Sequence, residues 1–275
     1  MILLLDIGNT HTHVGLADEC RVRHHFDLPT AGWFAGPAGI EKLRREVGQR
    51  PIAGAAVCSV VPRATQLARR AVRRLWGQDA LTVTPRHLPG IGVNYPRPAT
   101  IGPDRLANAV AVRHHYGAPA IVIDFGTAVT FDVLDARSNY VGGIIAPGLA
   151  AMTDYLHEKT ALLPRIRIRE VDRVIGRSTG EAMRIGAVRG YRGLVRELLA
   201  ALRRELGSRT VHVVATGGYA RLMAAGLPGI QAVDPLLTLE GIRLIHAHEA
   251  EQSVRARAKV RARSGQRSGR GRGRL

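Results

Sequence analysis

Two segments half a chain apart share a pattern that can bind phosphate. Residues 3–10 read LLLDIGNT and residues 121–128 read IVIDFGTA, so each apolar run delivers an aspartate and then a glycine to the end of a predicted strand. The glycine permits a tight turn with free backbone N–H groups that can hold phosphate oxygens, while Asp6 and Asp124 can bind the balancing cations. One such turn is usually only a hairpin, but the matched pair indicates two similar domains that face each other.

A third segment, Gly102-Pro103-Asp104-Arg105, begins a stretch of helical composition that continues to residue 115. Proline and an acid suit the first turn of a helix, so this segment is by itself an ordinary helix start. Beside the paired turns it gains chemical meaning, because Asp104 can accept a proton from a hydroxyl and the planar guanidinium of Arg105 can hold a carboxylate. The chain has neither a GxxxxGK[ST] loop nor a GxGxxG turn after a strand, so any phosphate site is of another type.

Short β-like runs alternate with helical patterns along the chain, which is typical of α/β architecture. The pattern predicts strands at residues 2–5, 12–16, 22–26, 52–57, 81–84, 120–123, 128–134, 140–146 and 211–215. It predicts helices at residues 41–47, 63–76, 106–115, 149–160 and 180–206. The first three strands are expected to form an antiparallel meander, whereas the proline- and glycine-rich residues 85–103 are predicted to be a loop.

The composition is that of a globular protein with one large or two modest domains. The 275 residues are 45% hydrophobic but only 4% aromatic, which predicts a core of aliphatic side chains and alanine. Cys20 and Cys58 form no CxxC pair, so no disulfide framework is predicted and a reducing cytoplasm is expected. The apolar run 1–5 is too short for a signal peptide, and the longest uncharged stretch, residues 139–153, is too short to span a membrane. We therefore expect a soluble protein.

The net charge of +18 is unevenly distributed. Residues 253–275 hold nine Arg and Lys residues, no acid and no apolar period. This tail is predicted to be disordered, because it cannot bury enough apolar surface to offset its ordering entropy. It can be interpreted as an arm for nucleic acid or an anionic surface, or as a solubilising extension. The lack of interleaved aromatic residues for base stacking favours the second interpretation.

The paired turns resemble those of the superfamily of sugar kinases, heat-shock chaperones and actin. That resemblance implies an α/β fold of two ribonuclease-H-like domains of the actin-like ATPase superfamily, facing across a nucleotide cleft. The domains are expected at residues 1–116 and 117–252, followed by the Arg/Gly-rich tail 253–275. The motifs as a set resemble the type III pantothenate kinase family from residue 1 to about residue 249. The matching segments are DIGNT at 6–10, GPDR at 102–105, DFGTAVT at 124–130, GGIIAPG at 142–148, TALLP at 160–164, residues 176–190 and TGG at 216–218.

The resemblance implies ATP-dependent phosphorylation of the primary hydroxyl of pantothenate to 4′-phosphopantothenate, the first step of coenzyme A biosynthesis, in a cytoplasmic homodimer. Asp104 is the implied proton acceptor. The implied substrate contacts are Tyr95, Gly102, Pro103, Asp104, Arg105 and, from across the dimer interface, Thr179. The implied ATP contacts are Asp6, Ile7, Gly8, Asn9, Thr10, His11, Thr12, His13 and Thr127. The implied cations are Mg²⁺ near Asp6 and a monovalent ion, K⁺ or NH₄⁺, at Asp124.

Two residues depart from the family pattern, since Pro103 stands where alanine is common and His11 where asparagine is usual. Neither removes a charge that phosphoryl transfer needs. His11 and His13 can also be interpreted as a metal-binding pair on one strand face, but they have no third ligand nearby in the sequence.

Two other interpretations stay open. Residues 176–180 satisfy the G-x-S-x-G pattern of α/β-hydrolases, with Ser178 as nucleophile and Asp234 and His246 following in the expected order. The preceding residues 170–175 are too charged for a central hydrolase strand, which argues against this interpretation. The second is a non-catalytic, nucleotide-binding regulator of the same fold whose basic tail binds nucleic acid.

Overall fold

The structure contains two mixed β-sheets of similar topology. The computed structural model describes residues 1–86, 88–208 and 210–269, with side chains described as far as residue 256. The first sheet consists of β1 (Ile2–Ile7), β2 (His11–Ala17), β3 (Val22–Pro29), β4 (Gly54–Ser59) and β5 (Leu81–Thr82). β1 to β3 form the predicted antiparallel meander and β4 pairs with β1 in parallel, which gives the order β3-β2-β1-β4-β5. Residues 3–5 of the central strand β1 are fully buried leucines, as expected of a strand covered on both faces.

The second sheet repeats this arrangement. It consists of β6 (Gly92–Val93), β7 (Ala120–Phe125), β8 (Ala128–Leu134), β9 (Asn139–Pro147), β10 (His212–Thr216) and β11 (Ala232–Val233). β7 to β9 form an antiparallel meander and β10 runs parallel to β7, so the order is β11-β10-β7-β8-β9-β6. Apart from β6, both sheets place a meander and two parallel strands in the same order, which confirms the repeat predicted from the two turns.

Helices cover the sheets on their outer faces and separate them on their inner faces. They are α1 (Pro37–Val47), α2 (Pro62–Trp76), α3 (Pro103–His115), α4 (Leu149–Lys159), α5 (Thr179–Ile185), α6 (Tyr191–Leu206), α7 (Ala220–Ala224) and α8 (Leu237–Gly269). The predicted helix 180–206 is divided, because a π-helical turn, Gly186–Gly190, separates α5 from α6. Glycine at both ends of this turn weakens the regular helix there.

α3 and α8 form a layer between the two sheets. On one side, Val110 of α3 and Ile242 of α8 belong to a core that includes Leu4 of β1. On the other side, Leu106 of α3 packs in a core with Val122 of β7. Both halves of the chain therefore share these two helices.

Contacts cross the domain boundary predicted after residue 116, which stays a prediction. Residues 92–93 pair with β9 of the second sheet, although they precede the boundary. Leu239 and Ile245 of α8 pack on the first sheet, although they follow it. A Cβ atom on Gly241 would collide with the backbone of Ala107, so glycine lets α8 approach α3 closely. The chain thus returns to its first half through contacts that no local sequence pattern encodes.

The backbone of α8 is helical to Gly269, whereas the sequence predicts disorder from residue 253. Alanine, arginine and lysine dominate residues 254–263 and have high helix propensity, so the helix that begins with the packed residues propagates into the tail. The side chains of residues 251–256 are exposed. Residues 270–275 of the predicted tail lie outside the described residues. Within the ranges described here, no helix is long and apolar enough to cross a membrane.

Candidate active site

The two aspartate–glycine turns meet. One turn connects β1 to β2, and the other connects β7 to β8. The first is closed by the N–H of Gly8, which donates to the carbonyl oxygen of His11 at 2.9 Å. The Oγ1 atoms of Thr10 and Thr127 lie 3.2 Å apart. The structure therefore brings the loop 6–13 and Thr127, predicted to bind ATP, into contact.

The residues of the first turn differ in what they offer to a ligand. Asn9, Thr10 and His11 are exposed. The side chains of Ile7 and Thr12 are instead fully buried, and the hydroxyl of Thr12 accepts a hydrogen bond from the indole of the nearby Trp33 at 2.9 Å. Only the backbone groups of these two buried residues are available to a nucleotide.

Three carboxylates share one electrostatic environment at this junction. The pKa of Asp6 is raised to about 7, mainly by burial and further by the charges of Asp104 and Asp124. Burial, followed by the charge of Asp104, raises the pKa of Asp124 to about 6. Burial also raises the pKa of Asp104. Carboxylates perturbed together in this way identify a candidate functional site.

These carboxylates fit cation binding. Their mutual repulsion is relieved only in part by His13, whose charge lowers the pKa of Asp6 and Asp124. Carboxylate oxygens are the hard ligands that Mg²⁺ and K⁺ prefer, and a bound cation would offset the repulsion. In the part of the chain that the structure describes, no three His, Cys, Asp or Glu side chains form a metal cluster. A cation here would complete its shell with backbone, water or phosphate oxygens, as Mg²⁺ commonly does.

His11 and His13 do not gain support as a metal-binding pair. Their ring centroids are 6.4 Å apart. Nδ1 of His13 lies 2.7 Å from a carboxylate oxygen of Asp27, which engages one of the two rings. The third ligand missing from the sequence is also missing among the described residues.

The segment that begins at Gly102 forms the start of α3, as its composition predicts. Gly102 is the N-cap, and the proline that follows it is the first helical residue. A Cβ atom on Gly102 would collide with the carboxylate of Asp104, which itself accepts the N–H of Arg105 at 2.9 Å. One turn later, the amide of Asn108 donates to Asp124 at 3.4 Å. α3 therefore carries Asp104 and Arg105 to the aspartate of β7.

Arg105 also makes contacts that sequence reasoning missed. Its Nε donates to Oδ1 of Asp132 at 2.6 Å, and its Nη2 donates to the carbonyl oxygen of Phe131 at 3.1 Å. The hydroxyl of Tyr140 donates to the same Oδ1 at 3.1 Å. One signal for Asp132 was present, because a lone acid inside an apolar strand needs a partner when it is buried.

The two remaining predicted substrate contacts lie in different places. Tyr95 meets the ring of Tyr140 edge-on, with 6.2 Å between the centroids, so it belongs to the cluster around Arg105. Thr179 is the first residue of α5. No hydrogen bond in the described part of the chain joins Thr179 to the other predicted site residues, and its contact across a dimer interface stays a prediction.

The G-x-S-x-G segment does not form a hydrolase triad. Ser178 caps α5, and its Oγ accepts the N–H of Glu181 at 3.3 Å. Asp234 follows β11, whereas His246 lies on α8, where a Cβ atom on Gly54 would come within 2.7 Å of its Nε2. Among the described residues no hydrogen bond joins the serine, the aspartate and the histidine.

The repeated sheets, their paired turns and the two shared helices define a fold of two ribonuclease-H-like domains, the fold of actin-like ATPases and sugar kinases. Solved structures agree at the level of the fold. A conserved Baf-family protein from Campylobacter jejuni aligns with a TM-score of 0.58 over 90% of this chain and 99% of its own, at 19% identity. The activator of the 2-hydroxyisocaproyl-CoA dehydratase from Clostridium difficile, solved with ADPNP, aligns with a TM-score of 0.53 over 93% and 97%, at 14% identity.

Sequence comparison identifies the family within this class. The sequence model of type III pantothenate kinase matches residues 2–201. Type III pantothenate kinase from Methylacidiphilum infernorum is 46% identical over 246 residues, which cover 89% of this chain and 87% of the relative. The same enzyme from Akkermansia muciniphila is 46% identical over 249 residues, which cover 88% and 96%. The chain therefore belongs to the type III pantothenate kinase family.

Proposed function

We propose that this protein transfers the γ-phosphoryl group of ATP to the primary hydroxyl of pantothenate, giving 4′-phosphopantothenate in the first step of coenzyme A biosynthesis. The observation that carries the proposal is that the two turns meet at Thr10 and Thr127 while α3, which begins beside Asp104, bonds to Asp124 through Asn108. This arrangement supports a proton acceptor beside the predicted phosphate site. Phosphoryl transfer depends on positioning and charge compensation more than on covalent chemistry, and this site offers both.

The paired turns bind the phosphates of ATP in this proposal. The exposed residues Asn9, Thr10 and His11 offer side chains, and the backbone N–H groups of the turn add further donors. Asp6 holds Mg²⁺, and Asp124 holds the monovalent cation, K⁺ or NH₄⁺. When bound, these cations offset negative charge on the transferred group, which is needed because the chain has no P-loop lysine.

Asp104 accepts the proton of the pantothenate hydroxyl at a carboxylate oxygen. Burial raises the pKa of Asp104, which makes it a stronger base than an exposed aspartate. Arg105 keeps its charge and offers guanidinium N–H groups to the substrate carboxylate. Tyr95, Gly102 and Pro103 line the same substrate segment, and Thr179 of the partner subunit completes it.

We infer a homodimer from apolar side chains that one chain leaves uncovered. They lie on β9, on α4 and on the segment between α4 and α5, whose first residue is Thr179. Exposed apolar side chains can mark interaction sites, and in this proposal a second copy covers them while it delivers its threonine. The exposed side chains are Ile145 (64%), Tyr155 (61%), Leu162 (89%), Val174 (67%) and Ile175 (81%).

We place the activity in the cytoplasm. Cys20 and Cys58 are free thiols, which persist in a reducing compartment. Fractionation of cells that express the tagged protein checks this location.

The direct test of function is a coupled assay that follows ADP release with ATP, pantothenate, Mg²⁺ and K⁺, run beside a panel of sugars and acetate. Of these acceptor substrates, we expect only pantothenate to support ADP release. ADP release with a sugar or acetate, and none with pantothenate, would mean that the likeness of fold does not extend to the substrate.

The alternative, a non-catalytic regulator with a nucleic-acid-binding tail, finds no support among the relatives, which are named as kinases. Deleting residues 253–275 separates the two functions. The kinase keeps its turnover after the deletion, whereas a nucleic-acid binder loses its salt-sensitive affinity.

A further inference from the structure

Arg105 reaches the site with one edge of its guanidinium already bonded. Its Nε donates to Asp132 and its Nη2 donates to the carbonyl oxygen of Phe131, at 2.6 and 3.1 Å. An arginine carries five N–H donors in a fixed fork, so Nη1 and the second hydrogen of Nη2 are left for a ligand. The internal bonds therefore restrict the direction from which a carboxylate can bind.

Asp132 is fixed beneath Arg105. It is only 1% exposed and lies on β8 between β7 and β9, where its backbone pairs with Val122 and Gly143. Its Oδ1 accepts bonds from both Arg105 and Tyr140, while its Oδ2 has no hydrogen-bond partner among the described residues. A buried pair of this kind adds little net stability, because desolvation opposes the Coulomb attraction. It does hold both partners in one geometry.

Tyr140 connects Arg105 to Tyr95. The guanidinium carbon of Arg105 lies 5.9 Å from the ring centroid of Tyr140. The ring of Tyr140 also contacts the ring of Tyr95, with an interplanar angle of 70° and 6.2 Å between the centroids. Tyr140 is 1% exposed and Tyr95 is 37% exposed, so one buried ring supports two side chains that can reach a substrate.

We propose that Asp132 and Tyr140 are positioning residues that direct the free N–H groups of Arg105 toward an acid group, and so select alcohol substrates that carry a carboxylate. The inference rests on the proposed function and deepens it by naming what orients Arg105. Because two N–H groups of Arg105 are already bonded to Asp132 and Phe131, recognition depends on the direction of its remaining N–H groups as well as on charge. Such charge-assisted bonds are strongest when the guanidinium presents two donors in the plane of the carboxylate.

The test compares two substrates in the Asp132→Asn variant of the full-length protein. One is pantothenate, and the other is its analogue in which a hydroxymethyl group replaces the carboxylate. We expect the KM for pantothenate to rise about tenfold, with kcat and the KM for ATP within about twofold of wild type. The KM for the neutral analogue should change by less than about twofold, so the preference for the acid falls about tenfold.

Glu240→Gln is the matched control. Glu240 and Arg243 form another buried pair, with an oxygen–nitrogen distance of 2.6 Å and side chains 12% and 5% exposed. The pair lies within α8 and outside the predicted substrate segment. We expect this variant to lower Tm while leaving the KM for pantothenate unchanged, which separates loss of a buried pair from loss of orientation.

A double-mutant cycle tests whether Asp132 acts through Arg105. In an Arg105→Lys background the Asp132→Asn substitution should change the KM for pantothenate by less than about twofold, because lysine lacks the fork that Asp132 orients. A tenfold effect in both backgrounds would overturn the proposal.

Tyr140→Phe provides a second variant that keeps the ring and removes one bond to Asp132. We expect this variant to raise the KM for pantothenate about two- to threefold. If Asp132→Asn fails to fold, Tyr140→Phe still tests the proposal. If the wild-type enzyme is active and both Asp132→Asn and Tyr140→Phe keep its KM for pantothenate, the positioning role is refuted and the proposed function stands. An inactive wild type with pantothenate would instead defeat the proposed function.

Discussion

The Oγ1 atoms of Thr10 and Thr127 lie 3.2 Å apart although the two residues are in turns that extend from different sheets. The pair therefore lies where the two halves of the protein meet. Each hydroxyl can donate to a phosphate oxygen as readily as to the other hydroxyl, so a bound nucleotide can replace the bond between them.

Replacing Thr127 by valine keeps the shape of the side chain and removes its hydroxyl. We expect the KM for ATP to rise about fivefold, because one hydrogen bond to a charged phosphate is lost, while the KM for pantothenate stays unchanged. Steady-state kinetics with each substrate varied in turn check this. Thr127→Ser retains the hydroxyl and should behave as wild type; equal effects of the two substitutions would contradict the role of the hydroxyl.

Asp104→Asn should lower kcat by at least about a hundredfold, because the amide cannot accept the proton of the acceptor alcohol. ATP binding, measured by calorimetry, should stay within about threefold of wild type. Asp79→Asn, which changes an exposed aspartate paired with Arg73, is the control for loss of charge and should leave kcat unchanged. Near-normal turnover of Asp104→Asn would refute the base assignment.

The raised pKa of Asp6, about 7, predicts a pH-dependent contribution to stability in the protein without nucleotide or metal. The folded state binds more protons at this site than the unfolded chain between about pH 4 and 7, so the site lowers the free energy of unfolding as the pH rises through that range. Partly buried His246, whose pKa is lowered by burial, acts in the opposite sense below about pH 6.5, so a comparison of variants is needed.

The measurement is the difference in Tm between wild type and Asp6→Asn, taken in EDTA at about pH 5 and about pH 7.5. We expect the Tm of the variant to rise relative to the Tm of wild type at the higher pH, because the substitution removes a carboxylate that is ionised there in a site that disfavours its charge. Addition of Mg²⁺ should raise the Tm of wild type more than that of the variant. A relative loss of stability by the variant at the higher pH would show that Asp6 is already compensated.

Replacing K⁺ by Na⁺ at constant ionic strength should slow turnover by several-fold if Asp124 holds a selective monovalent site. Asp124→Asn should remove the difference between the two salts as well as lowering the rate. Initial rates in matched chloride salts check both statements. Equal wild-type rates in K⁺ and Na⁺ would count against the assignment of Asp124.

The proposed homodimer predicts complementation between two impaired variants. Asp104→Asn lacks the proposed base of its own site, and Thr179→Ala lacks the threonine that each chain contributes to the site of its partner. In a heterodimer of the two, one site carries both defects and the other carries neither. Unfolding and refolding an equal mixture should therefore restore about a quarter of wild-type activity. Activity no higher than the mean of the separate variants would mean that each site is built within one chain.

The turns and the start of α3 could be predicted from sequence because their determinants are local. An apolar strand, an aspartate and a glycine specify each turn, and glycine followed by proline specifies the helix start. Asp132 and Tyr140 were missed because their role depends on contacts between separate elements. Arg105 reaches Asp132 across 27 residues of sequence, a pairing that exists only once β8 lies beside α3.

The same limit explains the differences in the fold. The return of α8 to the first sheet depends on Leu239 and Ile245 finding a face that is formed more than a hundred residues earlier, and helical periodicity does not say which face a helix covers. The division of the predicted helix 180–206 at Gly186–Gly190 rests on a local hydrogen-bond shift that composition does not separate from a continuous helix.

The close approach of Gly241 to Ala107 has a consequence for the candidate site. α3 and α8 touch without intervening side chains at this point, and each sheet packs against this pair of helices. Asp104 lies in the first turn of α3. We therefore expect a bulkier residue at position 241 to separate the two helices and to shift Asp104 relative to the first sheet.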